Sequence, residues 1–362
     1  MVTGESILSG LFREPFCALG AFVAGLGITA MMRFDGWLYR DDSIYSYIAQ
    51  QVASGRVPYV DAFDHKTPLA GMLGAVFVLL GRVAGMEDIY ALRAGFWILT
   101  GLTGVVVYHL GRIFYRNALA GGFCAVVLSG FFNYGREAAS GPNAKTAFVL
   151  AESCFLLLAA RRQWFLAGVA GALACWVWQP GVFFALGALL LALLSETGHR
   201  RWRAALWAIA GVLFPTVILF VWFWARGGLG ALLEGSVFFK LNYLHRTEWS
   251  LLSAIWNPLA TFYRTMGSLF LLVFPGIALL LWTTVRAFAG GERWSEASET
   301  RHLRRLIVVV IAFPVFWTLL DFQGAGDLYP FLPFLALGIG GLFWSMTRRW
   351  PAWAGGGVLL LL

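Results

Sequence analysis

Long apolar runs, separated by short polar connections, follow one another along almost the whole chain. Eleven runs lie near residues 16–34, 92–111, 118–134, 146–160, 164–178, 181–195, 205–225, 267–285, 306–320 and 329–346, and from 352 onwards. A helix needs about 20 apolar residues to cross a bilayer, so the pattern predicts membrane-spanning helices. The apolar stretch from Gln163 to Ser195 is too long for one helix, and Gln179-Pro180 supplies the break. The pattern therefore predicts an all-α bundle of about eleven spans.

The composition agrees with a chain embedded in a membrane. Of the 362 residues, 59% are hydrophobic, 42 more are glycines and only 13% are charged. Too few polar side chains remain to cover a water-soluble surface, and such an apolar chain is not intrinsically disordered. The four cysteines lie in apolar runs without CxxC or Cys/His grouping, so neither a disulfide framework nor a zinc site is predicted.

The placement of arginine predicts the orientation of the bundle. Every second connection carries arginine, for example at 112 and 116, 161 and 162, 200–203 and 348–349. The positive-inside rule then places the N-terminus in the cytoplasm. Residues 35–91 become one long outward loop in which 69–86 is a juxtamembrane helix, and residues 226–266 become a second large outward loop. The net charge of +8 is not a nucleic-acid signal. The chain stops within an apolar run, so either the last helix is very short or the natural protein continues.

The first outward loop concentrates the acidic residues. Five of the eight aspartates lie within one 30-residue stretch of this loop, at positions 35, 41, 42, 61 and 64. The spacing of Ile44, Ile48 and Val52 predicts a short amphipathic helix that begins at the paired aspartates and ends near Gly55. Helix dipoles stabilise ionised carboxylates at such an N-terminus. The two acids are therefore either functional groups or simple helix caps.

The same loop carries a spaced motif. It reads Asp41-Asp42-x-x-Tyr45, then Gly55-x-x-Pro58-Tyr59-x-Asp61, then Asp64-x-Lys66-x-Pro68-Leu69. This set resembles the first outward loop of glycosyltransferase family 39, which includes protein O-mannosyltransferases and the lipid A aminoarabinose transferase. Gly141-Pro142-Asn143 and Tyr329-Pro330 are weaker similarities.

The resemblance implies a fold and an activity. It implies a single GT-C type transmembrane domain over 1–362, in the cell membrane of a bacterium or archaeon. It also implies transfer of a sugar from a polyprenyl-phosphate donor to a lipid, glycan or protein acceptor on the outer face. The expected partners are this donor, the acceptor and membrane lipids, with no nucleic acid.

The resemblance also implies roles for individual residues. Asp41, with Asp42 beside it, is the candidate base that takes the acceptor's proton in an inverting displacement. Lys66 is a candidate cation for the leaving phosphate. The other candidate substrate-binding residues are Tyr45, Arg56, Tyr59, Asp61, Asp64, Glu137, Asn143, Lys240, His245 and Arg246. Where relatives carry an acid in the 135–146 loop this sequence has Asn143 and Lys145, so the second carboxylate is either Glu137 or absent from a site that works differently.

Several alternatives remain open on the sequence. No cofactor is predicted, and no dense oxygen-ligand motif indicates a metal, although a divalent ion between Asp41 and another acid is compatible with the residues. A transporter or flippase of a lipid-linked sugar is disfavoured because no internal repeat is evident and the acids cluster at one surface. A catalytically silent relative that binds lipid or a partner stays open because of the altered 135–146 loop. Glu152 lies within a predicted span and is either functional or a buried, hydrogen-bonded carboxyl.

Overall fold

The computed structural model describes residues 4–32, 36–38, 41–64, 66–239, 241, 250–266, 269–288 and 298–349. Within these residues the regular structure is helical, and the extended backbone amounts to an isolated bridge between Pro58 and Ala62. In chain order the α-helices are α1 (Gly4–Ala30), α2 (Asp41–Ala53), α3 (Leu69–Val83), α4 (Asp88–Tyr115), α5 (Ala118–Ser129), α6 (Phe132–Ser140), α7 (Ala144–Ala160), α8 (Trp164–Val177), α9 (Val182–Ser195), α10 (Gly198–Ala225), α11 (Leu229–Leu233), α12 (Leu251–Met266), α13 (Phe270–Arg286), α14 (Glu299–Val310), α15 (Ala312–Leu320) and α16 (Leu332–Arg349).

The membrane-embedded helical bundle is confirmed in kind, and its number of spans stays a prediction. Among the described residues, four helical stretches are long and apolar enough to cross a membrane: α4, α10, Glu299–Leu320 and Ala325–Arg348. Two bent helix pairs, α5 with α6 and α12 with α13, raise the number to six. Other apolar helices, such as α3, α8 and α9, have only 10 to 17 residues. The run predicted from residue 352 lies outside the described residues.

One predicted span is divided in the structure, and one predicted break between two spans is found. The run 118–134 was expected to be one helix, but α5 ends at Ser129 and α6 continues after a bend of 68°. Because of this bend, the axis of α6, which carries polar residues, does not continue the axis of the apolar helix α5. The stretch from Gln163 to Ser195 is interrupted by a 3₁₀ turn over Gln179–Gly181, at the predicted position. An added Cβ at Gly181 would lie 2.2 Å from the carbonyl carbon of Ala174, so only glycine fits between α8 and α9 here.

The core of the bundle lies around α4 and α7. Helix α4 packs against α1, α3, α5 and α7, while α16 packs against α5 and α13. Fully buried aromatic side chains fill the centre, among them Phe96, Phe114, Phe148 and Phe155. Close packing of this kind fixes the relative positions of the helix ends, and those ends carry the polar groups described below.

The first predicted loop is mostly helical. Helix α2 matches the predicted amphipathic helix and is followed by Gly55, whose φ of 86° ends it in the left-handed region. The buried face, however, is formed by Tyr45, Ile48 and Ala49, while Ile44 is 43% exposed. The prediction that Ile44 belongs to the buried face was therefore wrong, because α3 covers α2 one position further round the helix. The segment predicted as the second outward loop contains α11 and α12.

Candidate active site

Five helix ends meet at one cavity. Asp41 begins α2, Lys145 lies in the first turn of α7, Trp178 follows α8, Asp321 follows α15 and Asp327 precedes α16. The cavity has a volume of about 100 Å³, far more than a single water needs. Its lining residues are Asp41, Lys66, Lys145, Trp178, Gln179, Trp317, Asp321, Gln323 and Asp327. A polar hollow at the ends of apolar helices is suited to a ligand with a charged head.

Two residues of the predicted set, Asp41 and Lys66, form an ion pair in this cavity. The Lys66 Nζ atom lies 2.5 Å from Asp41 Oδ2. It also lies over the ring of Tyr45 in α2, at 4.8 Å from the ring centre. The Lys66 side chain is 13% exposed, while that of Asp41 is 47% exposed. The carboxylate therefore stays accessible to a ligand while the ammonium is held largely inside the protein.

Asp42 belongs to a second, buried cluster behind Asp41. The Asn143 amide donates to Asp42 Oδ1 and to Glu137 Oε2, both at 3.1 Å. The Ser140 hydroxyl donates to Asp42 Oδ2 at 3.3 Å. Burial, and next the charge of Glu137, raise the pKa of Asp42 to about 7, although the hydrogen bonds from Asn143 and Ser140 oppose this. Asp42 is thus often protonated at neutral pH, and the structure brings Glu137 and Asn143 to it as partners.

A second ion pair, which the sequence did not indicate, lines the same cavity. Lys145 Nζ lies 2.7 Å from Asp327 Oδ1. The other oxygen of Asp327 accepts hydrogen bonds from the backbone N–H groups of Gln323 at 2.6 Å and Gly324 at 3.2 Å. Lys145 also lies over the Trp178 ring at 5.2 Å from its centre. The signal that could have found Asp327 is that it is one of the few aspartates outside the first loop and lies in a predicted outward segment.

Polar and aromatic groups complete the wall of the cavity. The Gln323 side chain donates to both carboxylate oxygens of Asp321, at 2.9 and 3.1 Å. The rings of Trp178 and Trp317 lie 6.3 Å apart at an interplanar angle of 77°. Sequence reasoning missed these residues, because tryptophan is common throughout the chain and nothing local distinguishes Trp178 or Trp317 from lipid-facing rings.

Other members of the predicted set support the loop that carries Lys66. The Tyr59 hydroxyl donates to the Lys66 carbonyl, and Asp64 Oδ1 accepts from the Lys66 N–H at 3.1 Å. Asp61 Oδ2 accepts from the Val57 N–H at 2.7 Å and closes the preceding turn. Tyr59 itself has a φ of 66°, an uncommon backbone conformation for a bulky residue. These three side chains hold the loop in shape and, like the exposed Arg56, do not line the cavity.

Three predicted residues cannot be placed. Lys240, His245 and Arg246 lie outside the described residues. Among the described residues, no group of three or more His, Cys, Asp or Glu side chains is arranged to hold a metal ion. Glu152 of α7 is completely buried, and neither of its carboxylate oxygens has a hydrogen-bond partner within the described part of the chain. The hydrogen-bonded alternative for Glu152 is therefore not what the structure shows.

The arrangement of helices is similar to the GT-C fold. One protein with this fold is ArnT from Cupriavidus metallidurans, and its crystal structure bound to undecaprenyl phosphate matches this chain with a TM-score of 0.63 and 17% identity. That match covers 99% of this chain and 63% of the ArnT chain. The apo ArnT structure matches with a TM-score of 0.59 and 15% identity, over 98% and 62% of the two chains. The chain thus spans a little less than two thirds of the length of ArnT, and no family model or curated protein matches its sequence.

Proposed function

We propose that the protein is an integral membrane glycosyltransferase that moves a sugar from a polyprenyl-phosphate donor to an acceptor at the outer face. The observation that carries this proposal is the cavity in which Lys66, Asp41 and two indole rings meet at the ends of apolar helices. A lipid-linked sugar phosphate needs a cation for its phosphate and a base near its anomeric carbon, both within reach of the membrane surface. The ArnT structure of the same fold that holds undecaprenyl phosphate supports this assignment.

Asp41 and Lys66 supply the two halves of the chemistry. The acceptor hydroxyl attacks the anomeric carbon and gives its proton to Asp41, which is accessible from the cavity. The bond between the anomeric carbon and the phosphate oxygen breaks, and polyprenyl phosphate leaves with the bonding electron pair. Lys66 neutralises the charge that develops on this phosphate. A single displacement of this kind inverts the configuration at the anomeric carbon.

In the structure the charges of Asp41 and Lys66 neutralise each other. The 2.5 Å ion pair keeps Asp41 occupied by Lys66. A donor phosphate that binds Lys66 takes over this interaction, so Asp41 becomes available to the acceptor only when the donor is present.

The remaining wall of the cavity is suited to a sugar ring. Trp178 and Trp317 offer apolar faces, while Gln179 and Gln323 carry amide groups that can bind hydroxyls. Ligand sites commonly combine aromatic walls with a few placed polar groups in this way. We place the N-terminus in the cytoplasm and the cavity on the extracytoplasmic side of a bacterial or archaeal cell membrane, on the arginine pattern.

The decisive experiment is sugar transfer by purified protein in lipid nanodiscs. A panel of synthetic polyprenyl-phosphate sugars is offered, and released polyprenyl phosphate is measured with wild type and with Asp41→Asn. We expect release by the wild type and a loss of at least about 100-fold in the variant. The matched control is Asp88→Asn, because Asp88 is paired with Arg82 and does not line the cavity. Equal rates in wild type and Asp41→Asn would refute Asp41 as the base, and donor binding without release would indicate a silent lipid-binding protein.

The orientation is tested separately. In a background without native cysteines, a cysteine replaces Phe63, whose side chain is 60% exposed in the first loop. We expect this cysteine to react with a membrane-impermeant maleimide added to intact cells. Reaction only after the membrane is opened would place the cavity on the cytoplasmic side.

A further inference from the structure

Two ion pairs, each between a lysine and an aspartate, face one cavity although they come from three separate regions of the chain. Lys66 pairs with Asp41, both from the first loop region, and Lys145 of α7 pairs with Asp327 before α16. Both ammonium groups belong to residues that line the same hollow of about 100 Å³. A ligand head that fills this volume therefore meets both lysines, and the function proposed above uses only one of them.

The second pair is asymmetric. Asp327 is 3% exposed and keeps two backbone N–H donors, from Gln323 and Gly324, whether or not Lys145 is present. Asp327 Oδ2 therefore keeps its two backbone donors when Lys145 moves to another anion, and only the contact at Oδ1 is given up. The aspartate is the fixed partner of the pair, and the lysine is the one that a ligand can recruit.

The stem of Lys145 lies in a channel that directs it toward the cavity. An added Cβ at Gly326 would come within 2.6 Å of Lys145 Cδ, so the glycine leaves the space that the stem occupies. The ammonium then lies between Asp327 and the Trp178 ring, with the side chain 17% exposed. A lysine that only covered the protein surface would not need the space that Gly326 leaves for its side chain.

The proposed reaction creates a charge that one lysine does not match. The donor is a phosphodiester with one negative charge, whereas the released polyprenyl phosphate is a monoester that carries about −1.5 to −2 at pH 7. The positive charge of Lys66 is already neutralised by Asp41 in the structure. A second cation in the cavity stabilises the additional negative charge that develops on the phosphate as the bond breaks. An interaction that is stronger in the transition state than in the bound donor accelerates the reaction.

We propose that Lys145 is a second phosphate-binding residue. Its ammonium group moves away from Asp327 and contacts the phosphate of the departing polyprenyl phosphate. This inference rests on the proposed function and goes beyond it, since it assigns the second charge of the leaving group to a residue outside the first loop. It gives the two lysines different tasks: Lys66 binds donor and product alike, while Lys145 distinguishes the monoester product from the diester donor.

The test compares two lipids on four proteins. Wild type, Lys66→Gln, Lys145→Gln and Asp327→Asn are assayed in nanodiscs for binding of undecaprenyl phosphate and of its methyl ester, a diester with a single charge. We expect Lys145→Gln to weaken undecaprenyl phosphate binding about tenfold or more, as for loss of a hydrogen bond to a charged group. We expect less than a threefold change for the methyl ester. Lys66→Gln should weaken both lipids.

The variant Asp327→Asn distinguishes phosphate binding by Lys145 from a merely structural role of Lys145. If Lys145 only holds Asp327 in place, the two variants that break this ion pair weaken binding alike. If Lys145 binds phosphate, Asp327→Asn releases it, and undecaprenyl phosphate binds as tightly as in wild type or more tightly. Lys145→Arg, which keeps the charge, should restore most of the affinity, and the retained binding of the methyl ester shows that Lys145→Gln is folded.

The failures of the two proposals are distinguishable. Wild-type protein that binds neither lipid and releases no polyprenyl phosphate refutes the proposed function, and the inference with it. Binding that depends on Lys66 but is unchanged in Lys145→Gln refutes only the inference. Equal losses in Lys145→Gln and Asp327→Asn refute it as well.

Discussion

The Lys66 ammonium lies 2.5 Å from a carboxylate oxygen of Asp41, although 25 positions separate the two residues in the chain. The contact forms because α2 begins at Asp41 and the turn after Gly55 leads the chain back toward the start of that helix. Tyr59 and Asp64 bind the backbone of Lys66 and fix its position. The ion pair thus holds the proposed base and the proposed phosphate-binding cation in a mutually neutralised form.

Asp41→Asn should change binding and turnover in opposite directions. Asparagine removes the anion that competes for Lys66, so undecaprenyl phosphate is expected to bind severalfold more tightly. The same variant lacks the base, so sugar transfer should fall at least about 100-fold. Binding is measured by titration in nanodiscs and transfer by release of polyprenyl phosphate. Weaker lipid binding in Asp41→Asn would show that Asp41 contacts the phosphate through a metal or water instead of competing with it.

Asn143→Ala should destabilise the protein more than the loss of a helix cap explains. Asn143 caps α7 by accepting from the Lys145 N–H at 2.9 Å, and it also donates to Asp42 and Glu137. Asn117→Ala is the matched control, because Asn117 caps α5 at 3.1 Å from the Ala120 N–H and no bond of its side chain to a carboxylate is described. We expect loss of about 1 kcal/mol for the control and clearly more for Asn143→Ala. Equal shifts of the thermal midpoint would mean that the amide bridge contributes nothing.

Asp42 should make the protein less stable as pH rises. Its pKa is raised to about 7 in the fold, mainly by burial, from an ordinary value of 3.8. Between these two values the folded state binds a proton that the unfolded chain has lost, so the stabilisation present below pH 4 disappears as pH rises through 7. Thermal midpoints measured from pH 4.5 to 8 should therefore fall with pH in wild type. The fall should be smaller in Asp42→Asn, and parallel curves for the two proteins would contradict the assignment.

Much of the first-loop side of the site was predictable because it is local. The spacing of apolar residues after Asp41 gave α2, and the turn-forming residues around Gly55 and Pro58 gave the return of the chain. The motif also brought Asp41 and Lys66 forward as candidates. The buried face of α2 was assigned one position off at Ile44, since a helical repeat alone does not tell which side a neighbouring helix covers.

The other side of the site could not be predicted, because it depends on contacts between distant segments. Lys145 and Asp327 are 182 positions apart, and no local pattern links them. The number of spans was similarly out of reach, because α8 and α9 are apolar enough for a membrane but short enough to be buried by their neighbours. A hydropathy pattern reports that a helix avoids water, not whether lipid or protein surrounds it.

Glu152→Met should stabilise the protein. Both carboxylate oxygens of Glu152 are buried without a hydrogen-bond partner among the described residues, which costs free energy in the native state. Methionine fills a similar volume without polar atoms, and we expect a gain of about 1–3 kcal/mol, read as a higher thermal midpoint in detergent. Thr146→Val on the same helix is the control of opposite sign, since its hydroxyl donates to the Asn143 carbonyl at 2.8 Å. A lower midpoint for Glu152→Met would mean that the carboxyl has a partner such as bound water or lipid.

Gly121→Ala should destabilise the bundle while Gly122→Ala does not. Both glycines lie in α5, so both changes gain the same helix propensity of about 1 kcal/mol. A Cβ at Gly121 would lie 2.5 Å from the Tyr108 carbonyl oxygen and 3.1 Å from the Arg112 backbone nitrogen, so α4 would have to move away. A Cβ at Gly122 would meet nothing within 4 Å. Close backbone approach at small residues is a general means of packing helices in membranes, so the two thermal midpoints should shift in opposite directions. Equal shifts would show that α4 and α5 are not in contact at Gly121.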